Sequence, residues 1–191
     1  KPKAPIVFNK QVTCVVGPGD GVEVPTVAPD WIDYEGELGI VIGTRCRNVS
    51  IADAPSVVAG YLIVNDVSVR DWQRATPTMT MGKSWDTHGP IGPWLVTADE
   101  IGDPHALGIR TWVDGDLRQD ASTKQMITNC WELIAHLSTA FTLLPGTIIA
   151  TGTPAGVGFV MDPPRCMKPG STVRIEIDKL GFLENPVIAQ P

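Results

Sequence analysis

Carboxylates at alternate positions are the feature of this chain with the plainest chemical use. Asp33, Glu35 and Glu37 stand in Asp33-Tyr34-Glu35-Gly36-Glu37-Leu38, just ahead of an apolar, β-branched run to Ile42. Successive side chains of a strand face opposite ways, so the three carboxylates share one face while Tyr34 and Leu38 take the other. Three like charges on one face repel. Either solvent with its counter-ions or a bound hard cation such as Mg2+, which prefers oxygen ligands, has to offset them. The run from Leu38 to Ile42 is apolar enough to be buried on both faces, which places the carboxylates at the mouth of a core instead of on an open edge. Asp66 ends a second apolar run, Tyr61 to Asn65, where a strand opens into a loop that a ligand can reach. Lys83 as a cation, Gln73 as a neutral hydrogen-bonder and Thr153 as a loop hydroxyl complete a polar set suited to an anionic ligand held on a metal.

The elements that must position these residues are short. Val22 to Val24, Ile6 to Phe8 and Cys14 to Val16 read as strands separated by Gly/Pro turns, and Ser50 is placed to cap a helix over Ile51 to Val58. Gly and Pro between Asp66 and Thr97 forbid a long helix there. Leu107 to Val113 and Leu117 to Ala121 flank Asp114-Gly115, whose tolerance of positive φ predicts a hairpin. Ile127, Trp131, Ile134, Leu137 and Phe141 recur at helical spacing and predict one amphipathic helix ended by Pro145-Gly146. Thr147 to Ala150 reads as a buried strand leading into the Thr151 to Gly156 loop, and Val173 to Ile177 with Phe182 to Ile188 as a closing strand pair. The expected fold is α+β and β-rich, a roll or sandwich.

Composition limits the rest. A chain of 191 residues is long enough for one well-buried domain. Its net charge of -6 and the absence of a Lys/Arg run exclude nucleic acid and an anionic membrane surface as expected partners. It has no stretch of eighteen apolar residues, and its Lys-Pro-Lys-Ala-Pro start has no signal-peptide core. Cys14, Cys46, Cys130 and Cys166 form no C-x-x-C pair, so reduced, buried thiols in a cytoplasmic protein are expected.

Five motifs in order, D-Y-E-G-E-L, Y-L-I-V-N-D-V-S-V-R-D-W-Q, G-K-S-W-D-T, G-P-W-L-V-T and A-T-G-T-P-A-G-V-G, make the chain from Phe8 to Val187 resemble the fumarylacetoacetate hydrolase family. The resemblance implies the mixed β-sandwich roll of that family's C-terminal domain over residues 1–191. It implies Mg2+ (or Mn2+, Ca2+) held by Glu35, Glu37 and Asp66, with Gln73, Lys83, Gly152 and Thr153 at the substrate and Lys83 as a catalytic residue. It also implies a homodimer acting on a small 2-oxo or diketo acid. The expected activity is hydrolysis of a carbon-carbon bond of an acylpyruvate or fumarylpyruvate-like diketo acid. Oxaloacetate decarboxylation and 2-hydroxyhepta-2,4-diene-1,7-dioate isomerisation are alternatives that use the same enolate, and a metal-binding homologue without catalysis is a third reading. The family's His-Glu dyad, which activates water, belongs to a segment upstream of Lys1 and has no match in His88, His105 or His136.

Simpler roles are expected for neighbouring residues. Arg70 and Asp71 read as a local ion pair, Asp86 as a partner of Lys83 or Arg70, and Asp33 as a support for the ligands. Trp72, Trp85, Trp94 and Trp131 read as core, His88 as a pocket-rim or structural histidine, and His105 and His136 as structural.

Overall fold

Short alternating runs become strands in the computed structural model, which describes residues 4–191; Lys1 to Lys3, at the start of the expected 1–191 domain, lie outside the described residues. In chain order the strands are β1 (Val15–Val16), β2 (Val22–Val24), β3 (Ile32–Asp33), β4 (Gly36–Ile42), β5 (Val58–Asn65), β6 (Ser68–Val69), β7 (Gly89–Thr97), β8 (Gly108–Val113), β9 (Asp116–Ser122), β10 (Ile148–Ala150), β11 (Thr172–Ile177) and β12 (Gly181–Ala189). The helices are α1 (Arg70–Ala75), α2 (Thr80–Lys83), α3 (Ala98–Ile101) and α4 (Cys130–Ala140).

Two five-stranded sheets result, ordered β1-β7-β5-β4-β10 and β2-β12-β11-β8-β9, with β3 and β6 forming a separate pair. The sheets are mixed: β1 runs parallel to β7 and β2 parallel to β12, while the other pairs are antiparallel. Leu38, Ile40, Ile42, Tyr61 and Ile63 of the first sheet pack into one cluster with Ile109, Val113, Val173, Ile175, Leu183 and Val187 of the second. Val41, Leu62 and Val64 make a smaller cluster on the other face of the first sheet. Every residue of β4 is therefore buried, as expected of a strand with apolar residues on both faces. The fold is α+β and strand-rich, two mixed sheets packed face to face, as the sequence predicts.

The hairpin forms at Asp114-Gly115, with φ of 54° and 82°. β11 and β12 pair antiparallel as the closing strands. Four expectations need correcting. Ser50 does take the Asp53 N–H at 3.1 Å, but Pro55 and the β-branched pair Val57-Val58 allow only a single 3-10 turn over Ala54–Val57 before the chain extends into β5. The long helix begins at Cys130 because Asn129 caps it in a reciprocal box with Glu132, leaving Ile127 and Phe141 outside it and exposed. β10 is an edge strand with only Ile149 buried, since it pairs with β4 on one side alone. Ile6 to Phe8 form no strand.

Other simple readings also change. Trp94 is 61% exposed, whereas Trp72, Trp85 and Trp131 are half-buried and pack against the core. All four cysteines are free, with Cys14 and Cys130 buried and Cys46 and Cys166 half-buried. No described helix is long and apolar enough to cross a membrane.

Candidate metal centre

The end of β3, the start of β4 and the end of β5 meet at one point. Gly36 pairs with Asn65 in the β4–β5 register, which sets Glu35 and Glu37 on one side of that pair and Asp66 just beyond it. The Asp66 N–H donates to the Glu35 carbonyl at 2.9 Å, and the Glu35 N–H to Asn65 Oδ1 at 3.1 Å, so backbone bonds fix the three ligand-bearing positions. One oxygen each of Glu35, Glu37 and Asp66 lies within 4.8 Å of the others. Oxygens on opposite sides of one hard cation, bonded at roughly 2.1–2.5 Å, stand about 4–5 Å apart. The sequence expectation that these three converge is met, and all three are buried.

Each carboxylate has a different environment. Glu35 receives Arg70 Nη1 on Oε1 at 2.6 Å and Lys83 Nζ on Oε2 at 2.7 Å. Asp66 receives Lys83 Nζ on Oδ2 and Lys10 Nζ on Oδ1, both at 2.7 Å. Among the described residues no ammonium or guanidinium is bonded to Glu37; the Gly152 N–H donates to its Oε2 at 2.7 Å. Gly152 sits at φ +97°, a left-handed backbone that glycine adopts without strain.

The proton affinities follow. Burial raises the Asp66 carboxyl, but Lys10 and Lys83 outweigh burial and hold it below the ordinary range. Burial pushes Glu35 up despite Lys83 and Arg70. Burial, then Asp66 and Glu35, push Glu37 well above the usual carboxylate value. Burial would lower the Lys83 ammonium, yet Asp66 and Glu35 more than reverse it and keep it charged. Asp33, Glu35, Glu37 and Asp66 against Lys10, Arg70 and Lys83 leave one negative charge unmatched, and that deficit falls on Glu37. An all-oxygen donor set short of positive charge fits Mg2+, Mn2+ or Ca2+.

Asp33 is not one of this group. Its carboxylate accepts from Arg70 Nε and Nη2 at 2.9 and 2.8 Å and from the Gly158 and Phe159 N–H groups at 2.8 and 3.0 Å. Arg70 thus bridges Asp33 to Glu35 instead of pairing with Asp71, which is exposed and turned back onto the Trp72 N–H. Lys83 and Arg70 spend their charge on these carboxylates and not on Asp86.

The expected substrate-facing residues are less uniform. Gln73 Oε1 accepts from Arg70 Nη1 at 2.9 Å, and among the described residues its Nε2 has only the Met79 sulfur at 3.9 Å. The Thr153 hydroxyl donates to the Gly36 carbonyl at 3.0 Å and accepts from Gln119 Nε2 at 2.7 Å. Gln119 also takes the Gly36 N–H at 3.1 Å and donates to the Pro154 carbonyl at 2.9 Å, so it clips the loop carrying Gly152 onto β4. Sequence reasoning missed Lys10, Gln119 and the true partner of Arg70. A polar Gln119 at an inward position of β9 was the one signal on offer. A cavity of about 470 Å³ walled by Trp31, Arg118, Arg165 and Cys166 includes none of the clustered carboxylates.

Residues 1–188 match the family described as Fumarylacetoacetate (FAA) hydrolase C-terminal. The chain is 47% identical over 189 residues to the mitochondrial oxaloacetate tautomerase fahd2 of Xenopus laevis, covering 98% of this chain and 59% of that protein. Among solved structures it superposes on the 2-hydroxyhepta-2,4-diene-1,7-dioate isomerase of Mycobacterium marinum with a TM-score of 0.91 and 42% identity, over 99% of this chain and 71% of that one. It also superposes on the maleylpyruvate hydrolase of Sphingobium sp. SYK-6, solved with manganese(II) and pyruvate, with a TM-score of 0.86 and 38% identity over 96% of this chain and 64% of that one. The chain thus spans about three fifths of its curated relative's length. In sequence along nearly its whole length, and in the fold that brings its acidic residues together, the chain belongs to the fumarylacetoacetate hydrolase family.

Proposed function

We propose that this domain belongs to a divalent-metal-dependent enzyme that forms and stabilises the enolate of a small 2-oxo acid. Glu35, Glu37 and Asp66 hold the metal. Lys83 faces a substrate carboxylate as a catalytic residue, and Gln73, Gly152 and Thr153 line the substrate. When bound, the cation supplies Lewis-acid stabilisation of the charge that develops on the 2-oxo oxygen. The observation that carries the reading is the convergence of three buried carboxylates, one of which has no ammonium or guanidinium bonded to it among the described residues.

The chain's own residues have defined parts. Lys83 keeps its proton firmly, so it acts as a buried positive charge that binds an anion instead of as a base. Gln73 Nε2, bonded only to a thioether, is free to donate to a substrate oxygen. Thr153 has committed its hydroxyl proton to Gly36 and offers a lone pair and a wall.

Among the reactions that share an enolate, keto-enol interconversion or isomerisation of a 2-hydroxydienedioate asks least of these residues, because no water has to be activated. The described histidines lie elsewhere. His88 Nε2 donates to the Glu23 carbonyl at 2.7 Å, His105 sits between Asp103 and the Cys130 N–H, and His136 is exposed on α4. The 47% identity to an oxaloacetate tautomerase supports this order. Carbon-carbon hydrolysis is the second reading, supported by the likeness to maleylpyruvate hydrolase, and it would draw its base from residues beyond those described. An assay of ketonisation of enol-oxaloacetate beside cleavage of an acylpyruvate, with and without EDTA, decides. The proposal expects a metal-restored ketonisation that Glu37→Gln abolishes. Ketonisation indifferent to EDTA and to Glu37→Gln would overturn it.

The domain is also proposed to pair with a second copy of itself. Trp94 on β7 and Phe182 on β12 are 61% and 46% exposed on neighbouring parts of the surface, an apolar pair that a second copy could cover. Sedimentation velocity at micromolar concentration should give a species of twice the 20.5 kDa chain mass.

A further inference from the structure

One cation at the centre has no role so far. Lys10 reaches in from the segment Phe8 to Gln11, ahead of β1, and its Nζ lies 2.7 Å from Asp66 Oδ1, 3.3 Å from the Val67 carbonyl and against the Lys83 carbonyl. The segment is fastened across the site. The Gln11 N–H donates to Ser84 Oγ at 3.2 Å, that hydroxyl donates to the Asn9 carbonyl at 3.3 Å, and the Phe8 ring lies 4.9 Å from Lys83 Nζ. Asp66 is therefore gripped on both oxygens by ammoniums, while Glu37, in the same cluster, has none among the described residues. Restraint alone does not require this, since the Lys83 contact and the Asp66 N–H bond to the Glu35 carbonyl already hold the residue.

An ammonium beside a metal-binding carboxylate has two opposed effects. It offsets repulsion among the carboxylates when no metal is present. It also repels a cation and withdraws charge from the carboxylate, so the bound metal is held less tightly and stays more electron-poor. We propose that Lys10 is a positioning residue that sets the strength of Asp66 as a ligand, lowering metal affinity and raising the electrophilicity of the bound cation. The inference rests on the metal reading above and concerns a residue outside it.

Calorimetric titration of the metal-free protein with Mn2+, alongside thermal melts, tests this with readouts other than activity. Lys10→Met should bind Mn2+ at least about threefold tighter, melt at a lower temperature when metal-free, and gain more from saturating Mn2+ than the wild type does. Lys10→Gln keeps a hydrogen-bond donor without the charge, so it should also bind tighter while losing less metal-free stability. Lys10→Arg should track the wild type in both. At saturating Mn2+, kcat for ketonisation should fall in both neutral variants. Equal or weaker Mn2+ binding by both neutral variants would overturn the role of Lys10 and leave the metal site standing. A wild-type protein that takes up no Mn2+ would instead overturn the metal reading itself.

Discussion

Glu37 is a carboxylate in an environment that favours its neutral form, and that gives it a distinctive mutational signature. Glu37→Gln keeps an acceptor for the Gly152 N–H and removes a charge that burial, Asp66 and Glu35 disfavour. The metal-free variant should be as stable as the wild type or more so, while its Mn2+ affinity falls at least about tenfold. Because burial and the neighbouring carboxylates raise the proton affinity of the wild-type group, Mn2+ binding should release protons and tighten as pH rises, which titrations in buffers of different ionisation enthalpy will read. Lys83→Met should behave in the opposite way. It leaves Glu35 and Asp66 short of a buried counter-charge, a loss of about 3–5 kcal/mol in chemical denaturation that Mn2+ partly restores. Glu35, Glu37 and Asp66 were legible because strand alternation and strand ends are local patterns, whereas Lys83 entered as a cation in the polar set and through the family resemblance. Lys10 was not: it meets Asp66 across 56 residues, and nothing in Phe8-Asn9-Lys10 marks it. Adjacent Arg70 and Asp71 misled in the other direction, since neighbours on a helix do not face each other.

The start of β4 is the element that holds the centre together, and it has no room for a side chain at Gly36. A Cβ there would stand 2.4 Å from Thr111 Oγ1 and 3.2 Å from both Gln119 Oε1 and Ile175 Cγ2. Gly36→Ala should cost about 1–3 kcal/mol in a denaturant melt, and adding Thr111→Ala should recover part of that loss, because the worst contact is to its hydroxyl. That hydroxyl has no hydrogen-bond partner among the described residues, so Thr111→Ala alone should cost little. The hairpin at Asp114-Gly115 was legible because its chemistry lies in two residues. The limits of α4 depended on whether Asn129 or an earlier residue caps it, and the Ser50 turn on whether Pro55 could be carried in a longer helix. Sequence periodicity does not decide either one.

At the scale of the whole molecule, the centre sits where the two sheets meet. β4 and β5 of one sheet bring the carboxylates, and β9 of the other brings Gln119 to fasten the Gly152 loop. Nothing in the sequence gives this pairing of sheets, which follows from long-range packing; the five ordered motifs supplied it by resemblance alone. Global stability carries a pH signature of the same packing. Burial drives His88 down to about 4 from 6.5, so the unfolded chain binds the extra proton and the histidine's contribution, complete above pH 6.5, is lost as pH falls toward 4. Glu37 titrates in the opposite sense, and subtracting a His88→Gln variant removes its effect. The stability difference between wild type and variant should shift against the wild type by about 3 kcal/mol between pH 8 and pH 4. The most direct test of the central claim is anomalous diffraction at the manganese edge from crystals soaked in Mn2+. One strong peak is expected, bonded to an oxygen of each of Glu35, Glu37 and Asp66 and absent from Glu37→Gln crystals; a soaked wild-type crystal with no peak among these carboxylates would contradict the metal assignment.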